Sequence, residues 1–190
     1  NRFGVEANGP RVVLWDDEVT AVCRAFTYRH PTQAGRLTGT SDAPARLILA
    51  DGVEIACGTM RFNRSEGTGI LDGPGYLVRH TDSLPPPLEG DPFERLPGPA
   101  DGRKDRITWS ERLDANFATL EVTDALGRTA EREVLEQAIV VGDVHLEQAD
   151  SNDFLVSERL VADVAHGPEG DWLSHATARG WVLAWQQGVV

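Results

Sequence analysis

Residues 21–40 read AVCRAFTYRHPTQAGRLTGT, and residues 55–74 read IACGTMRFNRSEGTGILDGP. Overlaid without a gap at an offset of 34, they align Cys23 with Cys57, Gly35 with Gly69, Leu37 with Leu71 and Gly39 with Gly73. Phe26 and Tyr28 fall on Met60 and Phe62. Few positions are identical, but glycine, aromatic residues and cysteine keep their places together. A period of this length marks a unit that cannot bury its apolar side alone and must stack on copies of itself.

The repeat extends beyond these two copies. Leu135–Val144 overlays Leu173–Val182 at an offset of 38, and a small residue stands four places before a glycine at Gly35, Gly69, Ala138 and Ala176. The marker glycines at 9, 39, 73, 142 and 180 are separated by 30, 34, 69 and 38 residues, so one marker is missing near residue 107. The stretch 83–100, SLPPPLEGDPFERLPGPA, holds six of the eleven prolines. Proline fixes its own backbone and cannot donate to a sheet ladder, so 83–106 is expected to be a loop inserted into the repetitive scaffold.

Each unit has strand character. LILADGVEIAC (47–57) places apolar residues around Asp51-Gly52, a dipeptide suited to a type I′ hairpin turn. TYRHPTQAGRL and RFNRSEGTGIL each carry a turn between two β-type runs. Phe26 and Tyr28 share one strand face, as do Met60 and Phe62, and Leu160 and Ala162 repeat the step. TAEREVLEQA (129–138) is the exception, with Ala130, Val134, Leu135 and Ala138 at helical spacing. Its overlay on 173–182 predicts a strand for the second half. The fold class expected is all-β, a repetitive stack of antiparallel strands in a single domain over 1–190. A solenoid, a long jelly roll and a folded-over sheet all fit.

The formal charge of −12 excludes nucleic acid as the main partner and disfavours passive docking on anionic lipid headgroups. No nucleophile-elbow, zinc-protease or paired C-x-x-C motif occurs, and His30, His80, His145, His166 and His175 show no catalytic spacing. No enzyme activity, cofactor or metal is therefore expected. The best metal candidate is DVHLE (143–147), where Asp143, His145 and Glu147 would share a strand face; the wet face of an amphipathic strand is the simpler reading. EGTGILDGPG (66–75) is rich in glycine but is followed by strand-like residues, so its glycines read as turn residues and not as a phosphate loop. Cys23 and Cys57 could bridge only on adjacent strands, ~5 Å apart. Two strands apart, at ~10 Å, they would be buried free thiols, the reading adopted here. Trp172, Trp181 and Trp185 are expected to cap the C-terminal end of the stack, with contact to a neighbouring domain as the other reading.

The residues 51–75, DGVEIACGTMRFNRSEGTGILDGPG, together with 135–148, LEQAIVVGDVHLEQ, and 157–185, SERLVADVAHGPEGDWLSHATARGWVLAW, resemble the OstA-like family, the lipopolysaccharide-transport β-jellyroll proteins. The resemblance covers most of the chain outside 83–106; the proline-rich insertion and the missing marker depart from the family pattern. It implies an open, slightly twisted, solenoid-like β-jellyroll from a longer protein of the periplasm or envelope, its signal or anchor absent from this chain. It implies an apolar groove that shelters the acyl chains of lipopolysaccharide, and edge strands that pair with neighbouring β-jellyroll domains. The groove residues it implies are Phe26, Tyr28, Leu37, Met60, Phe62, Leu71, Val144, Leu146 and Leu160. A structural or protein-interaction β-solenoid with a filled core, serving as a spacer, is the alternative.

Overall fold

The computed structural model describes residues 3–16, 19–50, 52–80, 104–123, 129–148, 153–167 and 170–185. These form a single antiparallel sheet of twelve strands. In chain order they are β1 (Gly4–Trp15), β2 (Val19–Arg29), β3 (Ala34–Thr38), β4 (Ala45–Leu49), β5 (Val53–Asn63), β6 (Thr68–His80), β7 (Lys104–Trp109), β8 (Arg112–Thr123), β9 (Thr129–Gln148), β10 (Asp153–Gly167), β11 (Gly170–Arg179) and β12 (Leu183–Trp185). Among the described residues the only helical turns are two short 3₁₀ turns, His30–Thr32 and Arg64–Glu66.

The repeat seen in the sequence is literal in space. β2, a 3₁₀ turn and β3 recur 34 residues later as β5, a 3₁₀ turn and β6. Each turn ends on a left-handed residue, Gln33 (φ 46°) and Gly67 (φ 61°), whose N–H returns to the first residue of the turn. Glutamine therefore takes at Gln33 a conformation that glycine adopts without strain at the equivalent place.

A seam crosses the whole sheet. Pairing slips or breaks at Asn8/Val12, at Cys57/Thr59 and at Ser157/Arg159. On the same line β3 gives way to β4, β7 to β8, and β11 to β12. The repeat markers Gly9, Gly39, Gly73, Gly142 and Gly180 all fall on it. Gly142 shows why glycine is needed: its φ is 83°, and an added Cβ would stand 2.5–2.9 Å from side-chain atoms of Ser110 and Glu111. The missing marker lies at Ser110-Glu111, which close the seam through the backbone, Ser110 N–H to Gly142 O (2.7 Å) and Gly73 N–H to Glu111 O (2.7 Å). Two neighbours supply glycine's space, so the marker disappears from the sequence without the seam being lost.

The seam divides the sheet into two wings, and the face that both wings turn inward is apolar. In a lone flat sheet both faces would be wet. Here Val140, Leu37, Leu160 and Met60 are 1–3 % exposed, and Ala45, Cys57 and Val144 are fully enclosed. Residues of both wings join one buried cluster that runs along the seam.

Three expectations change. The proline-rich stretch ends sooner than residue 106, because β7 begins at Lys104; residues 83–103 lie outside the described residues. TAEREVLEQA is strand throughout, within the twenty-residue β9. A bulge opposite Asn116/Phe117 inserts one residue, so Leu135 and Ala138 lie on one side three residues apart, which imitates helical spacing. The hairpin at 50–52 forms with Gly52 at φ 87° and its N–H on Leu49 O (3.1 Å). The strands end at Leu49 and resume at Val53, so the loop is longer than a two-residue type I′ turn; Asp51 itself lies outside the described residues.

Candidate functional site

The inward face is built one residue per strand. On the second wing, cross-strand partners run Ala7, Phe26, Leu37, Met60, Leu71, Leu113, Val140, Leu160 and Ala178. The next row out runs Val5, Tyr28, Gly35, Phe62, Gly69, Ala115, Ala138, Ala162 and Ala176. On the first wing the row beside the seam holds Cys57, Gly75 and Trp109, with Val144 opposite Ser157. The row beyond it runs Leu14, Ala21, Leu47, Ile55, Leu77, Ile107, Leu146 and Leu155. Strand alternation supplies these rows: every second residue faces the same way, so matching register makes a continuous apolar surface.

All nine residues named from the sequence lie on this face. Phe26, Leu37, Met60, Leu71 and Leu160 share one row, Tyr28 and Phe62 the next, and Val144 and Leu146 stand on the opposite wing. Most of the first wing was missed, above all Leu47, Ile55, Leu77, Ile107 and Leu155. The signal was present as alternation in LILADGVEIAC and RITW, but only the fold pairs those segments across the insertion.

Burial is graded away from the seam. Next to it, Leu37, Met60, Val140, Leu160, Cys57 and Val144 are almost wholly enclosed, while Phe26 and Leu71 in the same row are half-buried and Ala21 and Ala115 in the outer rows are 5 % and 6 % exposed. Further out, Tyr28, Phe62, Leu47, Ile55, Leu77, Ile107, Leu146 and Leu155 are only half-buried. Aromatic rings fill part of the outer row on the N-terminal side. Phe62 lies flat over Gly35, where a Cβ would fall inside the ring, and its ring stacks with Tyr28 at a centroid distance of 6.4 Å. Phe117 lies beside Gly69 more loosely, its nearest ring atom 3.3 Å from where a Cβ would stand. Toward the C-terminus the same row is Ala138, Ala162 and Ala176, the first two half-buried and the third exposed.

Cys23 and Cys57 are free and buried. Ala45 of β4, paired with Cys57, stands between β2 and β5, which keeps the thiols two strands apart. Burial pushes both thiols up, Cys57 to about 12. Each side chain beside the seam also serves the fold locally: Cys57 Sγ–H donates to Thr59 O and Ser157 Oγ–H to Arg159 O, both at 3.3 Å.

The DVHLE residues do not converge on the interior. Asp143 sits on the seam at φ 42°, while His145 and Glu147 are exposed on the outer face of the first wing. Among the described residues no group of three or more His, Cys, Asp or Glu is arranged to hold a metal. The glycines of 66–75 are divided between a turn (Gly67), two close approaches beneath aromatic rings (Gly69, Gly75) and the seam (Gly73). Trp181 and Trp185 do not cap the core, being 53 % and 59 % exposed, and the side chain of Trp172 lies outside the described residues; among the described side chains the buried tryptophan is Trp109, whose indole N–H donates to Gly73 O.

Both sheet edges are apolar at the surface. Phe3, Val5 and Trp15 project from the N-terminal edge, and Leu173, Trp181, Val182, Leu183 and Trp185 from the C-terminal one. The outer face of the second wing is charged instead, with Arg61 on Asp72 (2.5 Å) and Arg112 on Asp114 (2.6 Å). No protein-family model, no curated protein and no solved structure matches the chain.

Proposed function

We propose that the chain is a non-enzymatic, lipid-binding bridge domain of the lipopolysaccharide-transport type, an open β-jellyroll acting in the periplasm or cell envelope. The observation that carries the reading is the graded burial of the inward face. The rows beside the seam hold the fold closed, and the rows beyond it leave apolar side chains half-exposed along facing margins of one folded sheet. The half-buried run Leu47, Ile55, Leu77, Ile107, Leu146 and Leu155 spans six strands, a strip roughly 25 Å long at ~4.8 Å per strand. Acyl chains laid along it would gain ~0.8 kcal/mol per buried methylene.

The edges supply the second part of the reading. β1 and the β11–β12 strip leave backbone groups unpaired within this sheet, and both carry exposed aromatic and aliphatic side chains. Such edges accept a strand from another chain. Neighbouring β-jellyroll domains are the proposed partners, handing lipid from groove to groove.

One observation favours a second reading, a spacer with a filled core: in the seam rows Leu37, Met60, Leu113, Val140, Leu160, Cys57, Trp109 and Val144 are 0–6 % exposed. Photo-crosslinking decides between them. A photoreactive residue is placed at Phe62 or Leu146, facing in, or at Arg61, facing out, in cells that make lipopolysaccharide. Lipid adducts at 62 and 146 and none at 61 support transport. Adducts at none of the three, in folded protein, overturn it in favour of the spacer.

A further inference from the structure

On the outer face of the first wing, away from the apolar interior, a pocket of about 160 Å³ is lined by Arg106, Thr108, His145 and Glu147. It is open to solvent on one side and has room for a ligand of a few heavy atoms. The residues come from β7 and β9, which pair in this wing with Arg106 opposite Glu147 and Thr108 opposite His145. Opposite charges in direct cross-strand register ordinarily close on each other. Here they do not. The Arg106 guanidinium turns back over the ring of Tyr76, 5.9 Å from its centroid, and leaves a gap between itself and the Glu147 carboxylate.

Arg106 is held in that position from behind. The Tyr76 hydroxyl donates to Glu54 Oε1 at 2.6 Å, and Arg46 donates to the same oxygen from Nε (3.1 Å) and a terminal nitrogen (2.8 Å). Glu54 is 6 % exposed, so this anchor is buried and rigid. A guanidinium stacked on a fixed ring keeps its edge donors free for a planar anion. The pocket therefore presents a cation on one strand, a carboxylate opposite it on the other, and a hydroxyl and an imidazole as the next pair along the same two strands.

We infer that this pocket binds a small zwitterion of the amino-acid type, its carboxylate on Arg106 and Thr108 and its ammonium on Glu147. A simple anion would meet Glu147, and a divalent cation would meet Arg106. Only a ligand with both charges satisfies both ends. His145, paired with Thr108, lines the pocket beside the two poles.

The test is a titration of the ¹⁵N-labelled chain, followed by amide NMR at low ionic strength, with glycine, β-alanine and 4-aminobutyrate. Acetate and methylamine serve as single-charge probes, and Zn²⁺ as the metal. One or more of the amino acids should saturate in the ~1 mM range, shifting amides around residues 106–108 and 145–147. Acetate and methylamine should bind at least tenfold more weakly. Arg106→Gln and Glu147→Gln, both at exposed positions, should each weaken the amino acid at least tenfold while leaving the spectrum dispersed. Tyr76→Phe keeps the ring but loses the Glu54 bond, and should weaken binding by less. Equal binding of acetate that survives Glu147→Gln would overturn the inference in favour of an anion site. Zn²⁺ binding untouched by Arg106→Gln would replace it with a metal site. Saturation by none of the probes would mean a solvated charged face and no site.

Discussion

The rows beside the seam and the rows at the margins of the wings are made of the same kinds of residue but have different surroundings. Leu160 and Leu146 are both inward-facing leucines on neighbouring strands, and Leu160 is 2 % exposed while Leu146 is half-buried. The difference comes from distance to the fold line. Next to the line, residues of both wings belong to one buried cluster. Farther out the wings leave the same apolar face only partly covered. The lesson is that hydrophobicity marks which face turns inward, while the position of the seam divides that face into a structural part and a part free to touch something else.

Substitution should expose that division. Leu160→Ala leaves a cavity beside the seam and should lower stability by about 2–5 kcal/mol in urea unfolding; a loss below ~1 kcal/mol would mean that the seam is not the core. Alkaline pH tests the same region. The Cys57 thiol is raised to about 12 by burial, so the folded state holds its proton to higher pH than the unfolded state does. The stability it contributes is complete below about pH 8.5, the unfolded value, and is lost as pH rises toward 12. The slope should reach about 1.4 kcal/mol per pH unit, and Cys57→Ala should flatten it. Tyr76, also raised to about 12 by burial and by Glu54, adds the same sign above pH 10 and remains in that variant.

The seam glycines differ among themselves. Gly142→Ala should cost about 1–3 kcal/mol, because a positive φ and the crowding from Ser110 and Glu111 act together. Gly9→Ala should change the unfolding midpoint by less than ~1 kcal/mol, since nothing stands closer to its Cβ than 3.9 Å. At the margin, Leu146→Ala should have the smallest effect on stability, about 1 kcal/mol or below, because its side chain keeps much of its contact with water. Its effect should appear instead in lipid crosslinking from Phe62, which should fall while the fold persists. If Leu146→Ala were as destabilising as Leu160→Ala, the division between seam and margin would be lost.

Much of this was legible in residues 21–74. A left-handed turn residue, a small residue under an aromatic ring and a marker glycine recur 34 places apart because each repeat meets the same steric demands. The residue pairs Phe26/Tyr28 and Met60/Phe62 revealed the inward face through alternation alone. Three features stayed hidden for physical reasons. Ser110-Glu111 performs the marker's task without a glycine, since backbone hydrogen bonds carry no side-chain signature. The bulge in β9 resets the alternation and makes a strand resemble a helix. The pocket at Arg106, Thr108, His145 and Glu147 joins strands nearly 40 residues apart, and the DVHLE motif named only one of its walls.

Local sequence therefore determined the strand character, the repeating unit and the choice of inward face, because backbone alternation and glycine's freedom at the turns act within a few residues. Tertiary structure alone decided how far each inward residue is covered, why Trp109 is buried while Trp181 and Trp185 are not, and which charges face one another across β7 and β9. Those outcomes depend on which distant strands become neighbours and where the sheet folds over, and register across the sheet is a property of the whole chain.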